Sequence, residues 1–375
     1  MTEQSPRDPA PSAPSRRAFL KCLGGGAVAG AAAMLEGAGA ASGGEPAPPG
    51  GRVGQRVLGK TGLRVSEIGF GGHSWSIAGV PAAGGSLRKV TVDEAVDMIR
   101  MGLEMGVNFL DSCTPLEESS TPGEAVKRLK ARDRVIISIR VSHKMKGRKE
   151  DRNEIFKWTE IRLKLWQTEC VDLCLLCNTA RDTPQSGYWD MSYAIEALDK
   201  LKQQGKIRYT GFGCHFTPER FLQAIDKFGD YFDVCSLPYN IRHRAAESVL
   251  PAAKKKDLGI ITIKPFSRGA LLTGRGLGIA DATCGLAGSS PVAGLRMDRD
   301  LDKARAGLAR DMISFVLENQ QVDICTCGVH TPGQVQEDFS AAWTKLTPEG
   351  RRRLGIAAAT PCPGHGWLEE GWLVV

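Results

Sequence analysis

From Ile68 onward two hydrophobic patterns take turns along the chain. The first recurs every three to four residues. In VTVDEAVDMIRMGLEMG the side chains Val92, Val96, Ile99 and Leu103 share one face of a helix. The same period predicts helices in TPGEAVKRLKA, DRNEIFKWTEIRLKLWQ, MSYAIEALDKLKQQG, TPERFLQAIDKFG, ESVLPAAKKKD, LDKARAGLARDMISFVLEN and TPGQVQEDFSAAW. Gly205 ends one of these, and Thr217 followed by Pro218 opens another as N-cap and first helical residue.

The second pattern is short and apolar on both faces. RVLGKTGLRVSEIGFGG predicts a hairpin turning at Lys60-Thr61-Gly62 and then a strand. NFLDS, RVIISIRVS, VDLCLLCN, IRYTGFGCH, FDVCSLPYN, GIITIKPFS and VDICTCGVH predict seven more. Strands buried on both faces belong in a parallel sheet. Eight strand–helix units in about 270 residues predict an α/β fold, a (β/α)8 TIM barrel. An N-terminal β-hairpin lid precedes it and a C-terminal helical tail follows. The segment 270–299 is long for a plain connection and is a candidate active-site loop.

Function in such a barrel sits at the C-terminal strand tips. Those tips are His73, Asp111, His143, Cys177, His215, Tyr239, Ser267 and His330. They include four of the six histidines in the chain, which random placement would rarely produce.

The first forty residues follow different rules. Arg16 and Arg17 precede Phe19-Leu20-Lys21, a short Gly/Ala-rich apolar run, and small residues at Ala38 and Ala40. This is the layout of a twin-arginine export signal. The run from Cys22 to Leu35 is too short to span a bilayer. The expected organisation is a signal peptide over 1–41, a linker over 42–52, the barrel over 53–345 and a C-terminal extension over 346–375. The expected location is periplasmic or otherwise extracytoplasmic. The twin-arginine translocation machinery would be a transient partner, and no membrane span would remain after cleavage.

The net charge is +7. The leader holds four basic and three acidic residues, so about +6 remains, spread along the chain. That favours solubility over nucleic-acid binding. Cys174, Cys177, Cys235, Cys325 and Cys327 lie in apolar runs and are expected as buried thiols. Cys174 and Cys177 are three apart within one strand and so face opposite sides, unlike a metal-binding pair.

Over residues 56 to 343 the chain resembles the aldo/keto reductase family. RVLGKTGLRVSEIGFGG, GVNFLDS, VDLCLL, GKIRYTGFGCH, FDVCSLPYN, KPFSRGALLTG and TPGQVQEDFSAA carry the resemblance. It implies carbonyl reduction with NAD(P)H, aided by a tyrosine, a lysine, an aspartate and a histidine. At those positions the chain has Leu116, Arg140, Asp111 and Cys177. Asp111, Arg140 and Cys177 are therefore the candidate catalytic residues. Leucine donates no proton, and an arginine stays charged.

The resemblance also implies a nucleotide site. Gly213, Cys214, His215 and Ser236 would face the nicotinamide, and Phe266, Ser267, Arg268 and Gly269 the pyrophosphate. Gly328, Gln334, Glu337 and Asp338 would complete it, the last two beside adenine. The grip on NAD(P) is expected to be weakened, with NAD favoured over NADP. GFGCH and IKPF are most like the branch with a C-terminal ferredoxin-like cluster. Such a cluster needs four cysteines, whereas TPCPGHGW has Cys362 alone, so no Fe–S centre is expected.

Three functions fit these residues. One is an exported oxidoreductase with altered catalytic groups, acting on a small molecule, in which Glu117, Glu118 or a mouth histidine supplies the missing acid. Another is an inactive barrel that binds a ligand or partner. A third is a metal site among the mouth histidines and Cys113, Cys177 and Cys214.

Overall fold

The computed structural model describes residues 51–82, 86–113, 116–142, 149–178, 191–214, 217–273 and 307–359. Strands β1 (Gln55–Val57) and β2 (Arg64–Ser66) form the antiparallel hairpin. Then come β3 (Ile68–Phe70), a second small hairpin of β4 (Val80–Pro81) and β5 (Leu87–Arg88), and β6 (Phe109–Ser112). The remaining strands are β7 (Ile136–Ser142), β8 (Val171–Asn178), β9 (Ile207–Cys214), β10 (Val234–Pro238), β11 (Gly259–Ile263) and β12 (Ile324–Cys327).

Strands β3 and β6 to β12 pair in parallel and in order, and β12 returns to β3 through Cys325↔Ile68, Thr326↔Gly69 and Cys327↔Phe70. The eight strands read from the sequence are thus the eight staves of a closed barrel.

The helices are α1 (His73–Ser76), α2 (Val92–Glu104), α3 (Glu117–Arg128), α4 (Lys149–Trp166), α5 (Ser192–Gln203) and α6 (Pro218–Phe228). They continue with α7 (Leu250–Lys255), α8 (Ala270–Thr273), α9 (Leu308–Glu318), α10 (Pro332–Phe339) and α11 (Pro348–Ala359). The Thr91 hydroxyl and the Glu94 carboxylate close a reciprocal capping box at the start of α2. Thr217 caps α6 with Pro218 in its first turn, as its sequence implies. Among the described residues no helix is long and apolar enough to cross a membrane.

Four elements differ from expectation. The hairpin β4/β5 carries no alternating pattern long enough to predict it. Helix α3 begins at Glu117, upstream of the expected start, and runs through Pro122. Gly307 is left-handed (φ 80°), so α9 starts at Leu308 and the long helix expected from Leu301 is not continuous. The expected helix at 247–257 is split into a 3-10 turn, Ala245–Ser248, and α7. The candidate loop 270–299 lies outside the described residues after Thr273, as do the signal peptide, His143, His215 and Cys362.

Alternate strand residues build two cores. Outward side chains such as Phe70, Leu110, Ile137 and Cys174 pack beneath the helices. Phe70 meets Phe339 of α10 edge-on at 4.9 Å. Inward side chains Phe109, Leu173, Val234, Ile261 and Ile324 fill the barrel floor together with Leu58, Leu63 and Val65 of the first hairpin. The lid therefore plugs the N-terminal end. Its tip is anchored there by Lys60 N–H donating to the Asp257 carbonyl at 2.8 Å. The strand tips at the other end are left for chemistry.

Leu58 is fully buried in that plug. Leu58→Ala should cost about 2–5 kcal/mol, read as a lower urea midpoint with little change in slope. A shift below about 0.5 kcal/mol would show that the hairpin does not seal the floor.

Candidate active site

Moving up the barrel, the inward positions change character. Two residues beyond Phe109 comes Asp111, and two beyond Val234 comes Ser236. The register sets Asp111 beside Ser138 on β7. Arg140 is the next inward position on β7 and reaches back to Asp111. Its Nη2 donates to Asp111 Oδ2 at 2.7 Å and its Nε to the same oxygen at 3.1 Å. The Ser138 hydroxyl donates to Asp111 Oδ1 at 2.8 Å, and Arg140 Nη2 also donates to Ser236 Oγ at 3.0 Å. All four residues are buried.

Burial raises the Asp111 carboxyl above its ordinary value, while the Arg140 charge and the hydrogen bonds from Arg140 and Ser138 oppose that rise. The structure thus brings Asp111, Arg140 and Ser236 into one cluster. Cys177, also buried, lies one layer higher and packs with Ile263 and the half-buried Cys113. Cys174 faces the outer core, where burial pushes its thiol up to about 12.

The rim holds a second cluster. Glu118, in the first turn of α3, is fully buried. It accepts from the Cys113 backbone N–H, from Ser76 Oγ at 2.7 Å and from His73 Nδ1 at 2.8 Å. Arg162 of α4, buried nearby, donates to Ser119 Oγ at 3.0 Å. His330 places Nε2 3.2 Å from the His73 carbonyl, and burial lowers its pKa. Leu116 is exposed on the rim, next to the Lys89–Glu117 ion pair of 2.9 Å.

Tyr239 is not at the mouth. Alternation along β10 turns Ser236 and Pro238 inward, so Tyr239 points out. Its phenol donates to Glu247 at 2.9 Å and its ring packs on Phe315. Burial pushes its pKa up to about 12. The next residue, Asn240, was not singled out by the sequence. Its Nδ2 donates to the Lys264 carbonyl at 2.9 Å and to Ser267 Oγ at 3.1 Å, tying the tips of β10 and β11. Asn after Tyr at a strand tip is the only sequence signal for this tie.

The remaining expected nucleotide residues are spread along one side of the mouth. Phe266 and Ser267 are buried, and Arg268 and Gly269 complete the same 3-10 turn. Gly328 follows β12. The Gln334 side chain accepts from His330 N at 2.7 Å, and Glu337 accepts from Gly307 N at 3.0 Å. Asp338 is buried. Burial and its neighbour Glu337 hold its carboxyl well above the ordinary range. Among the described residues no group of three or more His, Cys, Asp or Glu is arranged to hold a metal.

The buried pair gives a sharp expectation. Arg140→Met alone leaves an uncompensated carboxylate and should cost about 3–5 kcal/mol in urea unfolding. Asp111→Leu with Arg140→Met should recover most of that loss. Equal losses in the single and double variants would mean that the pair is not coupled.

Comparison with known proteins agrees with this fold. The chain is 27% identical to L-galactose dehydrogenase of Arabidopsis thaliana over 296 residues, covering 76% of this chain and 87% of the relative. It is 23% identical to the uncharacterized oxidoreductase YrpG of Bacillus subtilis, covering 79% and 93% of the two chains. The fold matches the holo form of aldo-keto reductase AKR11C1 from Bacillus halodurans with a TM-score of 0.58 at 23% identity, over 84% of this chain and 99% of that one. The model of the aldo/keto reductase family matches residues 67–355, and the chain belongs to that family of oxidoreductases.

Proposed function

We propose that the protein is an exported, NAD(P)-linked oxidoreductase. It would interconvert a small carbonyl compound and its alcohol at a site with altered catalytic residues. The observation that carries this is the charged floor of the mouth. Asp111 and Arg140 stand where the family's aspartate and lysine stand, and they are held as a hydrogen-bonded unit with Ser138 and Ser236. A barrel kept only as scaffold gains nothing from such a pair, because apolar replacements are as stable or more so. Leu116 and Cys177 stand for the tyrosine and histidine.

The residues fit a dinucleotide, loosely. The Ser236 hydroxyl accepts from Arg140 and keeps its own proton for a carboxamide oxygen. The turn at 266–269 grips less, because Ser267 N–H and Gly269 N–H are spent on the Lys264 and Phe266 carbonyls. TPGQVQE, residues 331–337, holds no basic side chain for a 2′-phosphate. These features support a weakened site that prefers NAD. The bound nicotinamide would supply or accept the hydride. Arg140 would hold Asp111 ionised and carry fixed positive charge below the substrate oxygen.

Titrating the mature protein with NADH and NADPH against tryptophan fluorescence tests this. Binding of NADH, tighter than NADPH, is expected. Binding of neither would overturn the reading in favour of a ligand- or partner-binding barrel. Export is tested separately. Replacing Arg16-Arg17 by Lys-Lys should retain the protein in the cytoplasm, and normal export of that variant would refute the twin-arginine route.

A further inference from the structure

The charged pair at the floor of the site is a poor source of a proton for a nascent alcohol. Arg140 stays charged and Asp111 is clamped, while Leu116, on the rim, has no proton to give. The rim cluster around Glu118 has what the floor lacks. We propose that His73 is the proton donor of the reaction and Glu118 its positioning residue. The inference rests on the oxidoreductase reading above.

Four observations converge on this pair. The Glu118 carboxylate is sealed from solvent while the His73 side chain is 31% exposed, so the imidazole is the solvent-accessible half of the pair. Glu118 is fixed from three sides, by the Cys113 N–H, Ser76 and His73. Helix α3 adds the positive end of its dipole. Gly72 makes the approach possible, since a Cβ there would lie 2.1 Å from Glu118 Oε2. Finally, His73 follows β3, which pairs with β6, the strand that carries Asp111. The tip of β12 flanks it on the other side, with Gly328 3.6 Å from His73 Cβ as measured from an ideal Cβ.

The chemistry follows from the tautomer. A carboxylate on Nδ1 assigns the ring proton there, so in this proposal Nε2 is the nitrogen that exchanges a proton with substrate. A nicotinamide cofactor, when bound, would supply the hydride to the substrate carbonyl carbon, and the C=O π pair would move to oxygen. The imidazolium of His73 then gives its Nε2 proton to that oxygen. The N–H bond breaks, an O–H bond forms, and neutral imidazole stays anchored to Glu118 until water reprotonates it. In the reverse direction the same nitrogen takes the alcohol proton. His73 thereby replaces the tyrosine from a different strand, and the α3 segment that would have carried the tyrosine supplies Glu118 instead.

Nitrogen NMR of the histidine-labelled mature protein, with no nucleotide added, reads the tautomer directly. Neutral His73 should carry its proton on Nδ1, and a proton on Nε2 would overturn the proposal. Single-turnover reduction of methylglyoxal, diacetyl and para-nitrobenzaldehyde by protein-bound NADH gives the kinetic test. His73→Gln should slow the step about 10²–10⁴-fold and abolish the loss of rate at alkaline pH, with nucleotide affinity as in the wild type. Glu118→Gln keeps the shape without the charge. It should slow the step less and move the alkaline limb to lower pH. A His73→Gln protein with unchanged rate and pH profile overturns the proposal, as does a wild type that binds NADH and reduces none of the three probes. Failure to bind nucleotide at all overturns the functional reading itself, and this inference with it.

Discussion

The ion pair between Asp111 and Arg140 sets conditions that the rest of the barrel has to meet. Each buried ion loses several kcal/mol of hydration, and the contact returns it only where geometry and extra hydrogen bonds are good. Here Arg140 donates to both Asp111 and Ser236, and Ser138 takes the second carboxylate oxygen. These partners come from β6, β7 and β10. They meet only because the sheet is closed, which brings the inward face of β10 across the lumen to β7. Register matters equally. A slip of one residue in β6 would turn Asp111 outward among the helices and bring an apolar neighbour in.

Closure also needs a dry floor. Below the pair the lumen is filled by Phe109, Leu173, Val234, Ile261 and Ile324, and the first hairpin completes that layer with Leu58, Leu63 and Val65. Without the plug, water would enter from the N-terminal end and screen the pair. Buried carboxylates around the same end reinforce it. Asp172 accepts from Ile137 N at 2.9 Å, and Asp323 from Ile260 N at 2.7 Å and from Lys254 at 2.7 Å. The lumen is thus layered, apolar at the bottom, charged in the middle, then soft with Cys113, Cys177 and Ile263 above.

The sequence makes the staves and the middle layer legible because both depend on two-residue alternation. An apolar run buried on two faces can only be an inner strand, and Asp111 and Arg140 lie on strands that are neighbours in order. The rim is less legible. Pro122 resembles a first-turn proline, so the stretch before it reads as loop, whereas Glu117 and Glu118 already form the first turn of α3. Glu118 stands out in the sequence only as one of several candidate acids in a polar run, and its full burial is not legible there. Tyr239 misleads in the opposite sense. At a strand tip, whether a side chain points in or out turns on a single position, and Pro238 takes the inward slot. Contacts between tips distant in the chain, such as Glu118 with His73 or Asn240 with Ser267, depend on loop paths that no periodicity encodes.

An arginine beside Asp111 can do less than a lysine in that place could. An ammonium can titrate and so can serve both as charge and as proton relay. A guanidinium held by a carboxylate and a serine can do only the first. The guanidinium keeps its charge across the pH range in which a histidine titrates. Proton transfer then has to come from a group whose state can change without disturbing the pair. That group has to sit outside the charged layer, with its own counter-charge, and within the mouth. A half-exposed imidazole anchored on a sealed carboxylate meets those requirements. The mouth is then divided between a floor that holds charge still and a rim that moves it.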